Sequence, residues 1–240
     1  MPSSMIAPII VANLPQDYDG MVLYEQESTQ LVSRHLLELA GLRQEAVEAA
    51  FVALGQPRRV PAPAGAPAMP TDLKPKDLYY EQARVAVWLP ALVADGADLP
   101  RLLALVDHKN RWVALNAAKA VGYLGDERAV KPLADLLSNS KNEAAYGFSP
   151  KFIDEEFNDP APRLREAVVR SLGMLQARPH AALLGSVLHD EGTVLEVRLA
   201  AVEALAQIDG PAATDALRRA ALSNGYYTVR MYARDALRRR

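Results

Sequence analysis

The sequence predicts an all-α protein in which helix pairs stack into a right-handed superhelical solenoid. A similar phrase occurs four times, beginning at Val113, Leu164, Val197 and Val229, and the last three starts lie 33 and 32 residues apart. Within the phrase, apolar residues recur at steps of four, four and three, which places them on one face of an α-helix. Units of this length bury their apolar faces only by stacking on neighbours, so a solenoid follows.

Composition favours helices and excludes several kinds of site. The chain is 50% hydrophobic but only 6% aromatic, and it contains no cysteine. Disulfides, thiolate catalysis and cysteine-based metal sites are therefore excluded. No stretch approaches the ~20 apolar residues of a membrane span, and the apolar segment 5–14 lacks a preceding Lys or Arg. We therefore expect a cytoplasmic protein with no membrane partner, and secretion is the alternative that stays open.

The first third of the chain differs from the repeats. Residues 1–27 lack helical periodicity and predict an irregular arm. Residues 28–55 predict a helical hairpin whose helices end at Gly41 and Gly55. Residues 56–77 hold six prolines. They predict an extended linker or strap at the only clear domain boundary.

The region 78–240 predicts the solenoid itself. Helices over 78–93 and 99–106 form a degenerate first repeat, followed by pairs over 110–124 with 127–137, 162–175 with 180–188, and 196–208 with 212–222. Residues 228–240 form a closing half-repeat. Gly-Asp at 125–126 and Asp-Gly at 209–210 mark the breaks between paired helices.

Residues 107–139 carry a family resemblance. They are similar to the short HEAT repeat first described in phycobilisome lyases, which implies a HEAT-repeat solenoid and leaves function nearly open. The matching positions are Asp107, Val113, Ala117, Ala118, Val121, Gly122, Leu124, Gly125, Asp126, Ala129, Val130, Leu133, Leu136 and Leu137. The chain departs from the family at Ala114, where the family usually has arginine, and restores arginine at Arg165, Arg198 and Arg230.

Those three repeated residues, which we call the ladder arginines, predict structural contacts. Asp159, Asp190 and Asn224 each precede one of them by a few positions. The pattern is typical of a capping and salt-bridge ladder along the stack, which we favour over phosphate binding.

An insertion separates the first two clear repeats. Val113 and Leu164 lie 51 residues apart, so the extra residues fall in 138–162. This insertion concentrates aromatic side chains, which either bind a partner from the edge of the solenoid or fold back as core. The two alternatives predict opposite results for Phe148→Ala with Phe152→Ala: weaker partner binding with an unchanged melting temperature, or a large loss of stability. The aromatic residues are Tyr146, Phe148, Phe152 and Phe157.

The C-terminal end is basic. Residues 216–240 hold seven arginines against Asp235 alone. Arg230, Arg234 and Arg238 are spaced by four along one helix face and are candidates for binding phosphate groups of a nucleic acid. An acidic protein partner, or a solvated face of the closing half-repeat, fits the same cluster.

These observations favour a non-enzymatic protein-binding scaffold. We expect no catalytic residue, metal or cofactor, because nucleotide and nucleophile-elbow motifs are absent and no histidine precedes a glutamate as in iron-binding HEAT-like hydroxylases. The alternatives are nucleic-acid binding through the arginines, and an enzyme accessory subunit or lyase-like factor, which the family resemblance implies. The partner-binding residues predicted on the concave face of the second helices are Arg128, Lys131, Asp135, Asp215, Arg218 and Arg219.

Overall fold

The computed structural model describes residues 41–56, 75–139 and 164–240, without the side chains of 75–77, 79–80 and 84. The predicted arm 1–27, the first helix of the hairpin, and nearly all of the linker and the insertion lie outside these residues. Every regular element in the described ranges is a helix. The chain divides into two compact units, Met1–Ala120 and Val121–Arg240.

The first unit contains helices α1 (Arg43–Ala53), α2 (Pro75–Ala86), α3 (Leu89–Leu92) and α4 (Leu99–Val106), with a 3₁₀ turn over Gly96–Asp98. The helix predicted over 78–93 is interrupted. Proline lacks an N–H donor and clashes with the carbonyl four residues earlier. Pro90 therefore cannot continue α2, which ends at Ala86, but it is accommodated in the first turn of α3.

A buried ion-pair cluster joins α1 to α4 within the first unit. Arg101 Nη1 donates to Glu48 Oε1 at 2.8 Å and to Asp98 Oδ1 at 3.2 Å. The Arg101 guanidinium also lies 3.9 Å from the centroid of the Phe51 ring. All three partners of Arg101 are buried, so the cluster holds α4 against α1 and has a structural role.

The second unit begins within α5 (Arg111–Leu124) and continues with a 3₁₀ turn over Glu127–Ala129 and α6 (Val130–Asn139). Gly125 follows α5 with φ of 71°, a left-handed conformation that favours glycine. Asp126 Oδ1 then accepts from the Arg128 N–H at 3.0 Å, which starts the next helix. The predicted break at 125–126 is present.

The remaining helices are α7 (Leu164–Met174), α8 (Ala181–His189), α9 (Leu195–Gln207), α10 (Pro211–Ser223) and α11 (Tyr227–Arg238), with a 3₁₀ turn over Arg178–His180. Helix α7 packs on α9 and α9 packs on α11, while α8 packs on α9 and α10. First helices therefore stack on first helices and second helices on second helices, as in an α-solenoid. The predicted apolar stripe is fully buried, at Val197, Ala201, Leu205 and Ile208.

Two glycines allow consecutive first helices to approach closely. A Cβ atom placed on Gly173 of α7 would lie 2.6 Å from the Ala204 Cα of α9. A Cβ on Gly122 of α5 would lie 2.6 Å from both Ser171 Oγ and Met174 Cε of α7. Both glycines are the tenth residue of the repeated phrase, so this position faces the following repeat.

Candidate partner-binding surface

The ladder arginine Arg165 reaches from α7 to the turn before α9. Its Nη1 donates to Thr193 Oγ1 at 3.0 Å, and that hydroxyl donates to Asp190 Oδ2 at 2.8 Å. The Thr193 bond is the main cause that lowers the pKa of Asp190, with smaller contributions from the Gly192 N–H and from Arg165 and Arg198. The turn is thus closed around an ionised carboxylate.

The ladder arginines Arg198 and Arg230 close the turns before their own helices. Arg198 is 3% exposed. Its Nε donates to Thr193 O at 2.8 Å and its guanidinium lies 4.8 Å from the Tyr226 ring centroid. Arg230 Nη1 donates to Asn224 O at 2.6 Å. The three ladder arginines therefore make hydrogen bonds to hydroxyl and carbonyl oxygens of the turns between repeats.

The charges predicted on the second helices are exposed and pair locally. Lys131 Nζ lies 2.5 Å from Asp135 Oδ2, one helical turn away on α6. Arg128 pairs with Asp126 at 2.5 Å, and its hydrogen bonds lower the pKa of the Asp126 carboxyl. Exposed pairs of this kind contribute little to stability, so these charges are not needed to hold the helices.

Helix α10 presents the second group of predicted charges. Arg218 Nη1 lies 3.3 Å from Asp215 Oδ1, and both side chains are about two-thirds exposed, at 66% and 68%. Arg219 is also exposed. Burial is the main cause that lowers the pKa of the neighbouring His189, and the positive charge of Arg219 lowers it further. His189 is therefore neutral at neutral pH.

The predicted phosphate-binding arginines of α11 point to different surroundings. Arg230 bonds to the α10–α11 turn, and Arg234 Nε donates to Ala221 O of α10 at 3.2 Å. Arg238 is exposed. Beyond them, Arg239 pairs with Asp235, and Arg240 Nη1 donates to Thr214 Oγ1 at 2.7 Å. Two of the three predicted phosphate ligands, Arg230 and Arg234, therefore donate to backbone carbonyls.

The predicted insertion residues Tyr146, Phe148, Phe152 and Phe157 lie outside the described residues. Within the described ranges, no three His, Asp or Glu side chains form a group that could hold a metal ion. None of the helices described here is long and apolar enough to cross a membrane.

Sequence reasoning missed an exposed apolar and aromatic group at the C-terminal end of the second unit. Its members are the large hydrophobic side chains Leu222, Tyr226, Tyr227, Met231 and Tyr232. A signal was available, because Tyr227 and Met231 are four residues apart and fall on the side of α11 opposite its buried residues Val229, Ala233 and Ala236.

Family comparisons agree with this architecture. The family described as HEAT repeats matches residues 149–238, and the family described as PBS lyase HEAT-like repeat matches residues 113–139. No curated protein matches the chain. Among solved structures, the complex of CpcE and CpcF of phycocyanin lyase from Nostoc sp. PCC7120 is similar, with 23% identity and a TM-score of 0.51 over 95% of this chain and 74% of that one.

The fold and these matches define an α-solenoid of HEAT repeats. The chain carries HEAT repeats over residues 149–238 and a PBS lyase HEAT-like repeat over residues 113–139.

One expectation is wrong. The sequence analysis favours a non-enzymatic protein, because nucleotide and nucleophile-elbow motifs are absent from the sequence. The match of residues 113–139 to the PBS lyase HEAT-like repeat contradicts this expectation, because it relates the chain to a family that is named for a lyase. Motif absence was a weak argument here, since a solenoid carries its site on a surface that no short motif marks.

Proposed function

We propose that the chain is a protein-binding subunit of a lyase-type enzyme and that it works together with a second protein chain. The observation that carries the proposal is the similarity to the two-subunit phycocyanin lyase complex over 95% of this chain. The lyase-like repeat at 113–139 supports the same class of enzyme. We assign no catalytic residue.

The second helices of the second unit supply a binding surface for the protein substrate. Lys131 and Asp135 on α6, and Asp215 and Arg218 on α10, form exposed pairs within single helices. Such pairs separate at little cost, so their charges are available to a docking protein. Arg128, Arg219 and the insertion aromatics Tyr146, Phe148, Phe152 and Phe157 belong to the same proposal.

Phycocyanin is the probe for the proposed activity. Addition or removal of its chromophore changes its visible absorption. The purified chain is incubated with phycocyanin, and separately with chromophore-free phycocyanin and free chromophore. Each incubation is carried out with the chain alone and then together with each other HEAT-repeat protein of its own genome. We expect the absorption to change only when a second HEAT-repeat chain is present. Unchanged spectra in every combination would refute the proposal.

A charge reversal tests the substrate surface. We expect Arg218→Glu with Arg219→Glu to lower the initial rate of the absorption change, because rim charges govern association more than folding. The matched control is Arg178→Glu, which removes another exposed arginine in the second unit. Equal rates for the double variant and the wild type would exclude α10 from the substrate surface.

Nucleic-acid binding is the less supported alternative. Of the seven arginines in 216–240, Arg230, Arg234 and Arg240 donate to backbone carbonyls, and Arg218 and Arg239 pair with aspartates. A filter-binding titration against salt distinguishes the two functions, because phosphate contacts impose a steep log–log slope. Absence of retention at low salt would eliminate this alternative.

A further inference from the structure

The repeats share two positions that face the following repeat, and α11 differs from its predecessors at both. The tenth position holds Gly173 in α7 and Ala206 in α9. The sixth position holds Val169 in α7 and Val202 in α9, and both valines are buried. In α11 these positions are Arg238 and Arg234, and both are exposed.

A further HEAT repeat therefore does not fit on α11 as α9 fits on α7. At the tenth position of α7 even a single Cβ would lie 2.6 Å from the Ala204 backbone. Arg238 at the equivalent position of α11 adds a long charged side chain where the stack requires glycine or alanine. Any helix that covers this face of α11 must therefore lie farther from α11 than α9 lies from α7.

The same face nevertheless carries apolar and aromatic side chains, in the two turns that precede its arginines. Tyr227, Met231, Arg234 and Arg238 are spaced by four, three and four, so they form one stripe, which we call the outer face of α11. Tyr227 is 65% exposed and Met231 is 45% exposed. Tyrosine, methionine and arginine are the residue types enriched in protein–protein interfaces, and tyrosine and arginine are enriched among their hot spots.

The charge of the outer face selects its partner. It carries two guanidiniums. Arg234 donates to Ala221 O of α10 through Nε, so its terminal nitrogens face a partner, and the nearby Asp235 is already paired with Arg239 on the flank of the helix. Arginine binds carboxylates through two parallel hydrogen bonds, which makes acidic side chains its natural complement.

We infer that the outer face of α11 binds an acidic amphipathic helix of a second protein chain. Carboxylates of that helix lie against Arg234 and Arg238, and its apolar side chains lie on Tyr227 and Met231. This inference rests on the proposed function, because it identifies the surface through which the second chain of the enzyme is held. A second copy of this chain is a poor occupant, since a two-fold contact would bring four arginines into one interface.

A peptide titration tests the inference with the chain alone. The probe is a fluorescein-labelled helical peptide of about five turns, with leucines at helical spacing and glutamates between them. A twin peptide has lysine in place of every glutamate, and a single-stranded oligothymidylate is the third probe. Binding is followed by fluorescence anisotropy at two salt concentrations.

We expect the acidic peptide to bind and the lysine twin not to bind. Arg238→Glu should weaken binding by about tenfold or more, as expected for reversal of a close charge pair. Met231→Ser leaves the charge unchanged and should weaken binding equally at both salt concentrations. Arg178→Glu is the matched control and should bind like the wild type. Circular dichroism checks that each variant is folded.

Three results would overturn the inference. These are equal peptide affinity for the wild type and Arg238→Glu, tighter binding of oligothymidylate than of the acidic peptide, and a dimer of the free chain that Met231→Ser dissociates. The test is independent of the lyase proposal. Peptide binding without any change in phycocyanin absorption would contradict only the function, and an absorption change without peptide binding would contradict only the surface.

Discussion

Replacing Gly173 by alanine tests whether close backbone approach determines the stacking of the second unit. The added Cβ would lie 2.6 Å from the Cα and 2.8 Å from the Cβ of Ala204. Because the nearest atom belongs to a backbone, no side-chain rotation relieves the clash, and overpacking of this kind costs about 1–3 kcal/mol. Alanine recovers at most about 1 kcal/mol through its higher helix propensity. We expect a net destabilisation of about 1–2 kcal/mol, which lowers the melting temperature by about 2–8 °C in a chain of this size.

Two other glycines provide matched comparisons. Gly122 holds the same repeat position, but its nearest obstacles are the Met174 methyl and the Ser171 hydroxyl, which have some freedom to move. Gly185 of α8 would place its Cβ 3.1 Å from the Ala216 Cβ, a tight contact without backbone involved. Thermal unfolding followed by circular dichroism should therefore rank the alanine variants with Gly173 the least stable, Gly122 intermediate and Gly185 the closest to wild type. A Gly173→Ala protein as stable as Gly185→Ala would refute the argument.

Three further predictions concern the ladder and its surroundings. Arg198→Ala should destabilise the chain by about 1–3 kcal/mol, because it leaves a buried carbonyl of Thr193 unpaired, whereas the exposed Arg218→Ala should not change urea unfolding measurably. Asp190 has a lowered pKa in the folded chain, so its stabilisation is complete above the unfolded value of about 3.9 and is lost as the pH falls through the folded value. Urea unfolding at successive pH values should show a smaller acid-induced loss for Asp190→Asn than for wild type. His189 also has a folded pKa below its usual value, mainly through burial. Its contribution to stability should therefore decline as the pH falls below about 6.5, and an imidazole NMR titration that shows a raised pKa would contradict this.

The helices of the second unit could be predicted from the sequence because local pattern and tertiary packing agree there. The stripe through Val197, Ala201 and Leu205 has helical spacing and is completely buried, so helix and stack follow from one signal. The interruption of the helix predicted over 78–93 was also readable, since Pro90 stands within it. The prediction of one continuous helix over 78–93 rests on apolar periodicity alone and leaves out the restriction that Pro90 places on the backbone.

The surface could be predicted only in part. The charges Lys131, Asp135 and Arg218 are recognisable because exposed helix positions follow from the same periodicity. On α11 the sequence analysis predicts a row of arginines, Arg230, Arg234 and Arg238, and it does not include Tyr227 and Met231 of the outer face. Their significance depends on which side of α11 is already covered, and that is a property of the packing of α9 and α10 against it.

The hydrogen bonds of the turns between repeats also determine how the second unit unfolds. Arg165 of α7 bonds to Thr193 before α9, and Asn224, before α11, donates to Leu188 O at the end of α8 at 3.1 Å. Each turn is thus held by a residue from a preceding repeat, and opening one repeat removes hydrogen bonds from its neighbour. Such coupling opposes fraying from one end and favours opening as a single cooperative unit. Amide hydrogens in the cores of α7, α9 and α11 should therefore exchange with solvent at similar rates.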